Sequence, residues 1–300
     1  LEPRVILNVQ NIHSVFFYQI LYFANRKLIL TAHHHGEWSP YFRIKWFKGI
    51  RKIYSYLLLF FENLVINRTD FFFIIDKKQL SYLAKNVRNL NHKVSLSNSG
   101  CDFEKFNNID KNDAKQSLGL SLHKKYLFYV GQYYEYKEVD RLCVIYLKLK
   151  KVCPDVELMV AGGTSKDKYY KNLIECGAID FGRILNTELY KYYSAASAYI
   201  TMTFREDWFG GIGIAMIESL ACGTPVISKC LYNLPNPDEI NLVGRMPENE
   251  DEMIENISYV LNHPDEFNKC REVAKKYYDY KILQKQMRDV YEKFTINEET

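Results

Sequence analysis

Short apolar runs alternate with stretches of helical period along most of this 300-residue chain. That alternation limits the fold more than any other feature. Val5–Gln10, Lys27–Ala32, Phe71–Ile75, Lys93–Ser97, Tyr126–Gly131, Val156–Ala161, Ala198–Thr203 and Pro225–Ser228 read as strands. Between them, apolar residues recur three and four apart. Val139, Leu142, Tyr146 and Leu149 do so on one segment, and Met253, Ile257, Val260 and Leu261 on another. Strand–helix alternation over this length predicts an α/β protein with parallel sheets.

The length allows two domains of ordinary size. The polar stretch Asn98–Lys115 breaks the alternation and reads as a linker. The expected division is therefore residues 1–104, residues 105–280 and a closing helix over 281–300. Ile282, Leu283, Gln286, Met287, Val290 and Phe294 give that helix its apolar face. The chain begins at Leu1 with a run that already looks like a mid-domain strand, so a truncated first domain is expected.

Composition removes several function classes. With 47% hydrophobic and 25% charged residues the chain is globular. Its 40 basic and 36 acidic residues leave a charge of +4, too small a surplus to argue for a nucleic-acid partner. Seven scattered cysteines without a C-x-x-C pair argue against zinc ribbons and disulfide frameworks. Free thiols fit a cytoplasmic setting. The run Ile53–Ile66 is interrupted by Glu62 and Asn63 and falls short of the ~20 residues that span a bilayer.

Two stretches carry chemistry. In the first, "REDWFGGIGIAMIESLACGTPVIS" (205–228), a glycine loop follows a strand and opens directly into a helix. Glycine lets backbone approach closely, and the amides of a helix start attract anions. Glu218 lies at the edge of that helix's apolar side, where a carboxylate needs hydrogen-bond donors. Ribose hydroxyls would serve, and so would a lysine or arginine partner. The second stretch, "YLFYVGQYYEYKEVD" (126–140), ends a strand at Gly131 and places Lys137 where a helix begins. Ligands of open α/β sheets bind at that edge, and a lysine there suits phosphate. A solvated surface lysine is the simpler alternative.

Two further features stay open on residue grounds. His33–His35 admit a metal pair, plain loop histidines or one sugar-site histidine. Over Tyr41–Leu57, Trp46, Ile50, Ile53 and Leu57 form one stripe, with Lys45, Lys48 and Lys52 on another. Such a helix either packs its stripe inside a domain or lies on an anionic membrane.

The motifs together resemble the retaining glycosyltransferases of family 4, which have the GT-B architecture of two facing Rossmann-like domains. "ILTAHHHG" (29–36) is similar to the family's strand ending in T-x-H. "RTDFFFIIDKKQLSYL" (68–83) resembles its A-D-v-i-v-S strand and helix. "NSGCDFEKF" (98–106) is similar to P-N-G-v-D-x-x-x-F, and "VGQYYEYKEVD" (130–140) to v-G-R-x-x-x-x-K-G-v-D. "ELMVAGG" (157–163) resembles L-x-i-v-G-x-G. "FGRILNTELYKYYSAASAYITMT" (181–203) resembles f-x-G-x-v-x-x-x-e-L-x-x-x-Y-x-x-A-d-v-x-v-x-P-S. The glycine-loop stretch is similar to E-x-F-G-x-x-x-x-E-A-x-A-x-G-x-P-V-I.

The resemblance implies transfer of a sugar from a nucleotide-sugar donor to a glycan or lipid-linked acceptor, with retention, in the cytoplasm or at the inner membrane face. It implies no metal or other cofactor. Glu218 would hold the donor ribose. Lys137, with Gly131 and Gln132 beside it and the amides of Gly210, Gly211, Gly213 and Ile214, would meet the diphosphate. Backbone near Ile184 would meet the base. Glu206 and His33 would be catalytic, contacting the sugar. Three departures stand out: Gln132 replaces an arginine, Glu138 replaces a glycine, and the loop between the two glutamates is enlarged. Aligned from the strand, Glu206 is the first carboxylate; aligned back from Glu218, Gly210 takes that place. Competing readings are a nucleotide-sugar epimerase and a catalytically silent nucleotide-sugar-binding protein.

Overall fold

A computed structural model describes residues 5–9, 28–34, 48–86, 90–97, 99–134, 137–202 and 211–296. The chain divides into two compact units. One comprises Leu1–Ser99, Glu206–Gly211 and Lys281–Thr300; the other comprises Gly100–Arg205 and Ile212–Tyr280.

The first unit holds β1 (Val5–Val9), β2 (Leu28–His34), α1 (Ile50–Arg68), β3 (Phe71–Ile74), α2 (Lys77–Asn86) and β4 (Val94–Leu96). The strands form a parallel sheet in simple order, β1-β2-β3-β4. All four residues of β3 are buried, as a strand covered on both faces requires. The turn into α2 caps itself. Asp76 Oδ1 accepts from Lys78 N at 2.8 Å, while Gln79 Oε1 accepts from Ile75 N and Asp76 N at 2.9 and 3.1 Å. An acid followed three residues later by glutamine is a reciprocal helix-start signal.

The second unit runs α3 (Lys111–Ser117), β5 (Lys125–Val130), α4 (Val139–Val152), β6 (Val156–Ala161), α5 (Tyr170–Glu175), β7 (Ile179–Asp180), α6 (Leu189–Ala195), β8 (Ala198–Ile200), α7 (Ile214–Ala221), β9 (Val226–Ile227), α8 (Ile240–Val243), β10 (Gly244–Arg245), α9 (Glu250–Asn262) and α10 (Cys270–Tyr278). Its sheet is parallel, in the order β10-β9-β8-β5-β6-β7. The helix faces read from periodicity are the buried ones: Val139, Leu142, Tyr146 and Leu149 on α4, and Met253, Ile257, Val260 and Leu261 on α9. The pairs β7 and β10 escape sequence reading because two-residue strands have no measurable period.

The expected linker is pinned rather than loose. Phe103 and Phe106 are buried anchors within its polar composition. Arg271 donates to the carbonyls of Phe103 and Phe106 at 2.8 and 2.7 Å, and also to that of Ala221. Cys101 N donates to Tyr278 O at 2.7 Å, and Tyr280 N to Cys101 O at 3.1 Å. All seven cysteines are free.

The closing helix α11 (Tyr280–Ile296) belongs almost wholly to the first unit. There Val290, Met287, Tyr291 and Phe294 pack with Phe71 and Phe73 of β3. On α1, Ile50, Ile53 and Leu57 are exposed (82%, 70% and 53%), as are Lys48, Arg51 and Lys52. These three apolar residues are therefore not buried in the domain. Trp46 and Lys45 lie outside the described residues. Among the described residues no helix is long and apolar enough to cross a membrane.

Candidate functional site

The chain order of the second sheet reverses once. From β5 it steps through β6 to β7 in one direction, and from β8 through β9 to β10 in the other. β5 and β8 are hydrogen-bonded neighbours at that reversal. In open α/β sheets the carboxyl edge at such a reversal is where ligands bind. The two stretches singled out in the sequence are the segments that leave these two strands.

After β5, Gly131 N–H donates to Ala161 O at 3.0 Å. Gln132 is exposed, and its carbonyl accepts from the Tyr129 phenol at 3.1 Å. Lys137 is half-buried, its own N–H closing a turn onto Tyr134 O at 3.0 Å. The next residue, Glu138, is the N-cap of α4 and lies in the left-handed region at φ 51. Among the described residues it is the one non-glycine with a positive φ. It sits where the family pattern has glycine, so the chain keeps the glycine geometry without the glycine. Such a conformation costs about 1–3 kcal/mol in a residue with a Cβ. Glu138 gives α4 no side-chain cap; it pairs with Arg141 at 3.2 Å.

After β8, the described chain resumes at Gly211, and Gly213 is the N-cap of α7. Glycine offers no side-chain acceptor, so the first amides of α7 have no cap of that kind. Ile214 is exposed at 56%, and one turn on, Glu218 is buried at 6%. Its partners are neutral. The Tyr193 phenol donates to Oε2 at 2.8 Å, and the Asn186 amide donates to Oε1 at 3.4 Å. The Lys105 ammonium donates to Asn186 Oδ1. Burial pushes the Glu218 carboxyl above its ordinary value, and the Tyr193 and Asn186 donors and the Lys105 charge oppose that push. Burial and the nearby Glu218 charge drive the Tyr193 phenol well up, so it stays a donor. A carboxylate accepts at about four lone-pair positions. One donor on each oxygen leaves capacity for a pair of ligand hydroxyls.

The carboxyl ends of β6 and β7 complete this edge. Gly162 N–H donates to Gly182 O at 2.8 Å, which ties the turn after β6 to the turn after β7. Ile184 follows that turn, half-buried against the core. Phe181 packs edge-on against Tyr192, centroids 4.9 Å apart.

The second unit thus brings Gly131, Gln132, Lys137, Ile184, Gly213, Ile214 and Glu218 to the carboxyl edge of one sheet. Gly211 and His33 fall in the first unit. His33 is in β2, in register with Phe73. Gly211, at φ +54, donates its N–H to Asp76 Oδ2 at 3.3 Å, so that amide already has an acceptor. Glu206 and Gly210 lie outside the described residues, as does His35. Sequence reading missed Tyr193, Asn186 and Lys105 as the setting of Glu218. Tyr193 had a signal, because it occupies the tyrosine of the family pattern over residues 181–203.

Comparison with known proteins agrees with this fold. D-inositol 3-phosphate glycosyltransferase of Mycobacterium sp. (strain KMS) is 25% identical over 169 residues, 53% of this chain and 37% of that protein. The chain therefore matches well under half the length of that relative. Sucrose-phosphate synthase from Thermosynechococcus elongatus superposes with a TM-score of 0.79 at 18% identity, over 96% of this chain and 73% of that one. Anabaena HepE in complex with UDP does so at 0.74 and 14%, over 96% and 79%. At these identities the likeness is one of fold, the GT-B architecture of parallel α/β units. The model of the family described as glycosyl transferases group 1 matches residues 110–277, more than half of the chain, and the chain belongs to that family.

Proposed function

We propose that the protein is a retaining glycosyltransferase of family 4 that moves a sugar from a nucleotide-sugar donor to a glycan or lipid-linked acceptor. The observation that carries this reading is the pairing of Lys137 and Glu218 on the two segments that leave the sheet reversal. In this account the donor diphosphate lies at the carboxyl edge of that reversal. Lys137 and the uncapped amides of α7 meet its charge, Glu218 accepts from the ribose hydroxyls, and the backbone near Ile184 meets the base. Fixed positive charge at a departing diphosphate lowers the barrier to glycosyl transfer, so the account needs no metal. Glu206 and His33 are proposed to contact the transferred sugar.

HepE was crystallised with UDP, which supports a nucleotide ligand for this fold. The proposed setting is cytoplasmic. Exposed Ile50, Ile53 and Leu57 beside Lys48, Arg51 and Lys52 support peripheral contact of α1 with an anionic membrane face. Gln132 favours a second reading. An uncharged, exposed amide in place of arginine fits a protein that binds nucleotide sugar without turning it over.

The test is calorimetric titration of the full-length protein with nucleotide sugars, followed by NMR of the product's anomeric centre. Binding and a product of unchanged anomeric configuration support retention. An inverted product rejects it. Binding without turnover over a panel of acceptors favours the silent protein.

A further inference from the structure

Tyr133 follows Gln132 in the loop between β5 and α4. In the family pattern this position is open, and Gly163 follows β6. In this chain the two positions fit one another. The Tyr133 side chain is buried, with 1% exposure. A Cβ built on Gly163 would stand 2.0 Å from Cδ2 and 2.1 Å from Cε2 of its ring, so the ring lies on bare glycine backbone. Its phenol donates to Asp180 Oδ1 at 2.9 Å, and the same oxygen accepts from Gly182 N–H at 3.1 Å. Asp180 ends β7, and Gly182 belongs to the turn that leads to Ile184. Tyr129 supports the same end of the loop, its phenol donating to Gln132 O.

We propose that Tyr133 is a positioning residue for the donor. Its ring and phenol fasten the loop bearing Gln132 and Lys137 to the turn after β7, so that the diphosphate side and the base side of the receptor are set at a fixed spacing before ligand arrives. Pre-organisation of this kind improves affinity because ordering is not left to the binding step. The inference rests on the donor-binding reading above.

Two variants reach the contact from opposite sides. Tyr133→Phe keeps the ring and removes the phenol's bond. Gly163→Ala keeps the phenol and drives the ring off the backbone. Asp180→Asn retains an acceptor for both donors and serves as the conservative control. Each full-length protein is titrated calorimetrically with UDP, GDP and ADP. For the nucleotide that wild type binds, Tyr133→Phe is expected to weaken Kd about three- to tenfold, in line with one ordinary hydrogen bond, with stoichiometry unchanged. Gly163→Ala should weaken it at least as much, and Asp180→Asn should stay near wild type. A merely structural role would lower the bound stoichiometry and leave Kd alone, which overturns the proposal. Wild-type binding with Kd for Tyr133→Phe within twofold also overturns it while the donor reading stands. No binding of any nucleotide by wild type overturns both. If Gly163→Ala does not fold, Tyr133→Phe decides alone.

Discussion

Glu138 and Glu218 show how two residues depart from local preference at one site. Glu138 holds a left-handed conformation that glycine adopts freely. Ordinarily alanine is the better helix residue; at this position the order should reverse. Glu138→Gly is expected to be more stable than Glu138→Ala by about 1 kcal/mol in urea unfolding. Glu218 is held above its ordinary carboxyl value by burial. A raised value in the folded state means the wild-type contribution is fully present below the unfolded value and is lost as pH rises through the folded one. Glu218→Gln should therefore gain thermal stability relative to wild type as pH rises through the carboxyl range, and lose that advantage in acid. The same change should weaken donor binding by about 1.5–3 kcal/mol, the range for hydrogen bonds to charged groups. Lys137→Ala should lose a similar amount in calorimetry, about 1.5–3 kcal/mol. Sequence made Glu218 and Lys137 visible, because a carboxylate on an apolar helix edge and a lysine at a helix start each ask for a partner. It could not reveal Tyr193, Asn186 and Lys105 as the setting of Glu218. They come from separate segments, and only tertiary packing brings them together.

The elements were legible to the extent that they are periodic or continuously apolar. The buried faces of α4 and α9 follow from spacing alone, and β6 keeps the bounds read from sequence. β7 and β10 were not legible, since their pairing to β6 and β9 is what makes two residues a strand. The packing of the stretch 98–115 was not legible, because its composition is polar whereas two phenylalanines and Arg271 decide it. For α1, sequence left both burial in the domain and membrane contact open, and the structure places Ile50, Ile53 and Leu57 outside. Binding of the full-length protein to anionic vesicles is expected at low salt. Loss of Lys48 and Lys52 should weaken it by roughly 1 kcal/mol per well-placed charge. Co-sedimentation indifferent to salt and to both lysines would remove this role from α1.

Across the whole molecule, the α/β class followed from the alternation of strands and helices, but the sheet reversal did not. Strand order is a matter of which neighbour each strand finds, and nothing in the spacing of β5 and β8 announces that they pair. That reversal turns two separate motifs into one candidate receptor, and it is the central claim. The most direct measurement is a crystal structure of the full-length protein with the nucleoside diphosphate it binds best. The account predicts the diphosphate between the carboxyl ends of β5 and β8, Lys137 Nζ on a phosphate oxygen, and the ribose hydroxyls on Glu218. A nucleotide bound elsewhere, with Glu218 still held only by Tyr193 and Asn186, would contradict it.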